Sequence, residues 1–275
     1  MVKQNQKSRV KRSTRQLEET ARRRRVMVMI HGAGPFPIDW YKPLVAAIER
    51  ELGHPFDYLP VYFADIGTRR AALADSPAKA KFKSQFQREL EQSFQVAKAS
   101  PTLAAHRKTR ALALPSPVQM YAITTQHVAD YFFSATLRAA IQARLIEKLD
   151  EARKKFDEIV LVAHSLGTVV SFDVLKQYAS RYNIVAFFTA GSPIAKLRRI
   201  GKYDERLGAI DYQHVKRWYN VYDTTDWVAD PLGPAFPKPG YRVFDVFVDV
   251  GVLPDASHDY LNNRETIQLF ADAMR

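Results

Sequence analysis

The residues best suited to chemistry lie in the stretch Glu158-Ile159-Val160-Leu161-Val162-Ala163-His164-Ser165-Leu166-Gly167-Thr168-Val169-Val170. An apolar run of strand type leads directly into a turn and then a helix-prone segment, and Ser165 stands at the turn. In a nucleophile elbow the serine takes a strained backbone conformation, and the positions two before and two after it are small because strand and helix approach closely there. Ala163 and Gly167 meet that need, with Ala163 departing from the usual Gly-x-Ser-x-Gly pattern by one methyl group.

A serine hydroxyl is a poor nucleophile until a neighbouring base takes its proton, so Ser165 calls for a histidine that is itself held by a carboxylate. Of the seven histidines, His258 fits best, because the loop Leu253 to His258 follows the last apolar run and precedes a closing helix near Asn263 to Met274. His164 is expected to face neighbouring loops and line the substrate site rather than act as the base. His54, His106, His127 and His214 fall where solvated or packing roles are expected. The carboxylate should follow the run Arg217 to Tyr222, where Asp223, Asp226 and Asp230 all qualify. Asp226 is favoured because Trp227 and Val228 beside it can exclude water. Asp223 alternatively caps the turn, and Asp230, preceding Pro231, suits turn initiation.

The same chemistry needs two backbone N–H donors aimed where negative charge develops. His31-Gly32-Ala33-Gly34 follows the first apolar run and supplies a small-residue loop, with Gly32 allowing close approach to the substrate. The donors are assigned to Ala33 N–H and Leu166 N–H, the latter beginning a helix whose positive dipole end adds to the field. Phe36 and Trp40 are candidate substrate contacts, which favours lipid-like or aromatic esters.

These residues need a scaffold that gathers strand ends at one edge. Short runs rich in Val, Ile and Phe alternate with helical periodicity, the pattern of a parallel sheet covered by helices on both faces. Candidate strands are Val26 to Ile30, Tyr58 to Phe63, Ile159 to Ala163, Ile184 to Thr189, Arg217 to Tyr222 and Tyr241 to Val250. Trp40 to Leu52 reads as a helix closed by Gly53, and Ala135 to Phe156 as a longer one. Right-handed crossovers would make all the strands point the same way, so their carboxyl ends share an edge. From about residue 66 to 129 no strand is evident. That interval reads as a helical insertion whose Phe82, Phe86, Leu90 and Phe94 form an apolar stripe, either packed on the main domain or serving as a lid.

Composition narrows the alternatives. The chain has 275 residues and no cysteine, which excludes disulfides, thiolate metal sites and a cysteine nucleophile; no metal or cofactor is expected. Residues 1–25 hold ten Lys or Arg against Glu18 and Glu19, so +8 of the formal charge of +12 lies in this basic tail and only +4 in residues 26–275. The tail lacks the apolar segment of a secretory signal and no run approaches the ~18 residues that span a bilayer, so a cytoplasmic protein is expected. Weak contact of the tail with an anionic membrane surface is compatible with this charge; specific nucleic-acid binding is not expected.

The order of His-Gly loop, Ser165, Asp226 and His258 on alternating strands and helices resembles the α/β-hydrolase superfamily, and within it the lipase-like and esterase-like branch. The resemblance covers about residues 26 to 275. It implies an α/β-hydrolase fold with a mostly parallel sheet of about six strands, a Ser165 nucleophile, a His258 general base and acid, and an orienting Asp226. The expected activity is cofactor-free cleavage of a small-molecule or lipid carboxylic ester through an acyl-enzyme. Two other readings stand beside it: an acyl-thioesterase using the same residues, and a non-catalytic anion-binding module in which the tail and Arg69, Arg70, Arg107 and Arg110 grip nucleic acid or acidic membrane. Two departures from the family are the lack of counterparts to its first two strands before Val26 and the position of the insertion ahead of the nucleophile strand.

Overall fold

Strands buried on both faces are apolar along their interior, and this holds for Val26 to Ile30 and for Ile159 to Ala163. In the computed structural model, which describes residues 23–66, 75–99, 117–203, 210, 213–236, 243–251 and 258–275, β1 (Arg25–Ile30) and β3 (Glu158–His164) lie side by side at the centre of the sheet. Val26, Val28, Ile30, Ile159, Leu161 and Ala163 enter one core, while Met27, Met29, Val160 and Val162 enter the other.

The sheet has six strands in the order β2-β1-β3-β4-β5-β6, every neighbouring pair parallel, with β2 at Asp57–Val61, β4 at Ile184–Ala190, β5 at Trp218–Tyr222 and β6 at Val243–Phe247. The second expected strand begins and ends slightly earlier than its apolar run, and the sixth, described from Val243, ends at Phe247, short of the expected Val250. All six carboxyl ends lie along one edge, as the crossover rule requires.

Helices cover both faces. α1 (Lys42–Leu52) supplies Leu44, Val45 and Ile48 to one core, together with Phe270 and Ala271 of α7 (Arg264–Met274). It starts two residues later than its periodicity suggests and ends at Gly53, whose φ of 76° lets its N–H bond back to Glu49. Asn263 caps α7 by accepting from Thr266 N–H at 3.0 Å. The opposite face carries α2 (Pro77–Ala99), α3 (Pro117–Phe133), α4 (Ala135–Lys155) and α5 (Leu166–Tyr178), with the short α6 (Ile194–Arg199) following β4.

The insertion thus contributes α2 and α3 among the described residues. Phe82, Phe86 and Leu90 are buried in the same core as Val128, Ala129 and Tyr131, so the stripe packs on the main domain. Two cations, one closing α6 and one just beyond it, fasten the insertion. Arg199 Nε bonds Glu89 at 2.6 Å, and Lys202 Nζ lies 4.7 Å from the Phe132 ring and 4.6 Å from that of Phe133. The tail to residue 22, the arginines Arg69, Arg70, Arg107 and Arg110, and residues 252–257 lie outside the described residues. No described helix is long and apolar enough to cross a membrane. Emptying the centre of the insertion's stripe is expected to be costly: Phe86→Ala should lower the unfolding free energy by about 3–5 kcal/mol, read as a reduced urea midpoint at unchanged slope.

Candidate active site

The turn after β3 is the one place where a non-glycine described residue has positive φ, with Ser165 at φ 51° and ψ −124°. Such a conformation costs on the order of 1–3 kcal/mol and persists only where its surroundings over-determine it. Several contacts do so. Ser165 N–H donates to Ala190 O at 2.9 Å, tying the turn to the end of β4. Thr168 Oγ1 donates to the Ser165 carbonyl at 2.6 Å and meets Ser192 Oγ at 2.9 Å. Since the Thr168 proton is directed at that carbonyl, Ser192 must be the donor in the second bond, and its own oxygen accepts from Ile194 N–H at 3.3 Å. A Cβ on Gly167 would stand 2.5 Å from the His31 carbonyl oxygen, which is why this position is small.

The loop after β1 closes on Ser165 from the other side. A Cβ on Gly32 would lie 2.6 Å from Ser165 Cβ and 3.2 Å from its Oγ, so the Gly32 backbone packs directly on Ser165. Among the described residues neither Ala33 N–H nor Leu166 N–H makes a hydrogen bond, and Leu166 opens α5, where helical donors are left over by geometry. His31 anchors the loop. Phe63 N–H donates to its Nε2 at 3.1 Å, so its proton sits on Nδ1, 2.7 Å from the Gly32 carbonyl. Phe36 stacks on the His31 ring at 4.6 Å and Trp40 meets it edge-on at 5.4 Å. The two expected substrate contacts thus also brace this loop.

Beyond β5 the three candidate carboxylates separate by their partners. Asp223 accepts from Thr225 N–H at 2.7 Å and Val250 N–H at 2.9 Å, which makes it the turn cap. Asp230 pairs with Lys196 at 2.8 Å and Arg199 at 2.7 Å. Asp226 bonds His258: Nδ1 lies 2.8 Å from its Oδ2. The same oxygen accepts from Tyr260 OH at 2.9 Å, and Oδ1 accepts from Val228 N–H at 2.8 Å. Burial alone would raise the Asp226 carboxyl, yet the His258 charge and these donors outweigh it and hold the group below the usual carboxylate range. The loop carrying Asp226 is pinned at its far end by Asp245, which accepts from Leu232 N–H and Gly233 N–H, each at 2.7 Å.

His258 is brought beside the elbow by His164, whose Nε2 lies 2.9 Å from the His258 carbonyl oxygen; the two rings are 4.8 Å apart. A carbonyl only accepts, so His164 carries its proton on Nε2. Among the described residues no hydrogen bond joins the Ser165 hydroxyl to the His258 ring. The structure therefore gathers Ser165, His258, Asp226, Gly32, Ala33, Leu166 and His164 at one sheet edge. It adds Tyr260, Thr168, Ser192 and Lys196, which the sequence reading did not single out. Thr168 had a local signal, since a hydroxyl three residues into a helix can reach back to the preceding turn. Tyr260 and Lys196 had none, because their partners are distant in sequence. No described group of His, Cys, Asp and Glu is arranged to hold a metal.

Two buried imidazoles make stability depend on pH. Burial lowers His31 from 6.5 to about 4 and His164 from 6.5 to about 3. Below pH 6.5 the unfolded chain takes up protons at these positions, while the folded chain takes none at His31 until about pH 4. Stability is therefore expected to fall as pH falls through this window, measured as urea midpoints, and His31→Gln should flatten the slope. No family model, curated protein or solved structure matches the chain.

Proposed function

We propose that the chain is a serine hydrolase of the α/β-hydrolase superfamily that cleaves carboxylic esters. The observation that carries this reading is the 2.8 Å bond from His258 Nδ1 to a fully buried Asp226 carboxylate, at the sheet edge where Ser165 holds a strained turn. A structural histidine has no need of a desolvated carboxylate partner, whereas a general base gains from one that fixes its tautomer and stabilises its charged form.

In this mechanism His258 Nε2 takes the Ser165 proton as Oγ attacks the ester carbonyl carbon. The carbonyl electron pair moves to oxygen, and that oxyanion is stabilised by Ala33 N–H and Leu166 N–H. Collapse restores the carbonyl and breaks the bond to the alcohol, which leaves with the proton from His258. Water, deprotonated by the same imidazole, then attacks the acyl-enzyme and frees Ser165. The bond between Ser165 and His258 forms as substrate settles, since catalytic hydrogen bonds are often long in the unliganded enzyme. The insertion acts in this reading as a fixed cover rather than a swinging lid, because its stripe is buried in the core.

A fluorophosphonate probe tests the reading without knowledge of the substrate. Wild type should be labelled and Ser165→Ala should not; equal labelling of both rejects Ser165 as nucleophile. On a p-nitrophenyl ester, Asp226→Asn should lower kcat by about 10⁴. Asp223→Asn should act mainly on stability, and a larger loss of kcat there would move the role of the acid.

A further inference from the structure

Tyr260 lies two residues past His258, opening the short 3-10 turn Tyr260–Asn262 that leads into α7. Its side chain is fully buried, and its ring stands edge-on to His258 with centroids 5.9 Å apart. The hydroxyl makes two bonds: it accepts from Asp223 N–H at 2.8 Å and lies 2.9 Å from Asp226 Oδ2. A backbone N–H only donates and a phenol has one proton, so that proton is directed at Asp226. Burial, together with the Asp226 charge, pushes the phenol well above its usual range, so it stays a donor throughout the working pH.

Oδ2 of Asp226 is consequently shared between an imidazole at 2.8 Å and a phenol at 2.9 Å. The other titratable groups around this pair are His164 at the end of β3, Asp223 on the same loop and Lys196 from α6. Among the described residues none of them donates to Oδ2.

We propose that Tyr260 is a positioning residue for the general base, acting through Asp226. It fixes the carboxylate rotamer so that Oδ2 faces His258 Nδ1. It also draws negative charge from that oxygen, so that the proton stays on Nδ1 when the imidazolium forms. By bonding Asp223 N–H and the Asp226 carboxylate with one hydroxyl, it locks both ends of the acid turn to the segment that carries the base. The inference rests on the reading of Ser165, His258 and Asp226 as a catalytic triad and deepens it.

The test compares wild type, Tyr260→Phe and Phe270→Leu, the last a core change in α7 at a ring that packs edge-on against Phe188 of β4. Hydrolysis of p-nitrophenyl butyrate and the rate of fluorophosphonate labelling are followed from about pH 5 to about pH 9. Tyr260→Phe is expected to lower kcat about tenfold with KM changed less than about twofold. With one donor gone, Oδ2 stabilises the imidazolium more strongly, so the acid limb should move up by about half a pH unit. Phe270→Leu should lower the thermal midpoint and leave the limb in place. An acid limb in Tyr260→Phe that superimposes on wild type, or the same displacement in Phe270→Leu, overturns the role of Tyr260 while labelled wild type leaves the triad standing. Wild type that neither turns over ester nor is labelled at Ser165 removes the triad and this inference together.

Discussion

A carboxylate taken wholly out of water must find donors within the protein or lose its charge. Asp226 meets this demand with an imidazole, a phenol and a backbone N–H, each drawn from a different position along the chain. Satisfying them dictates much of the surrounding geometry. The loop after β5 must bring Asp226 inward, the segment after β6 must return with His258 and Tyr260 two residues apart, and Asp245 must hold the far end of the loop. Lys196 is buried in turn because Asp230, on the same loop, offers it a partner; burial lowers its pKa and the aspartate opposes that effect.

The elbow at Ser165 is the second constrained point, and its strain is contained by short-range means. A three-bond chain from Ile194 N–H through Ser192 and Thr168 ends on the Ser165 carbonyl. The Gly32 and Gly167 backbones close the remaining space. Rigid support of this kind keeps the Ser165 hydroxyl and the Ala33 and Leu166 N–H groups, unbonded among the described residues, in fixed relation, as the proposed stabilisation of an oxyanion would require.

How much of this could be read in the sequence follows from the range of the interactions. Strands buried on both faces announce themselves as unbroken apolar runs, so β1, β3 and β4 stand close to their expected bounds, whereas β2 and β6, flanking the sheet, were blurred by mixed composition. The elbow is a contiguous pattern and was legible as one. Asp226 could be preferred to Asp223 and Asp230 only on its apolar neighbours, because what separates the three is which distant cation or N–H each one meets. The same applies to Tyr260 and to the proton on His164 Nε2, both of which arise from contacts across the fold. The insertion's stripe was legible as amphipathic, but the surface that it covers was not.

One ion pair at the opposite edge of the sheet has a practical consequence. Arg25, the first residue of β1, binds Glu158 at 2.7 Å and also donates to the carbonyl of Ala273 at 2.6 Å, near the end of α7. The end of α7 is therefore moored where the strands begin, about 20 Å of strand away from Ser165. Protein held to a bead or electrode at this end of α7 would stand with the Ser165 edge facing the bulk solution, so an immobilised preparation should remain open to bulky reagents.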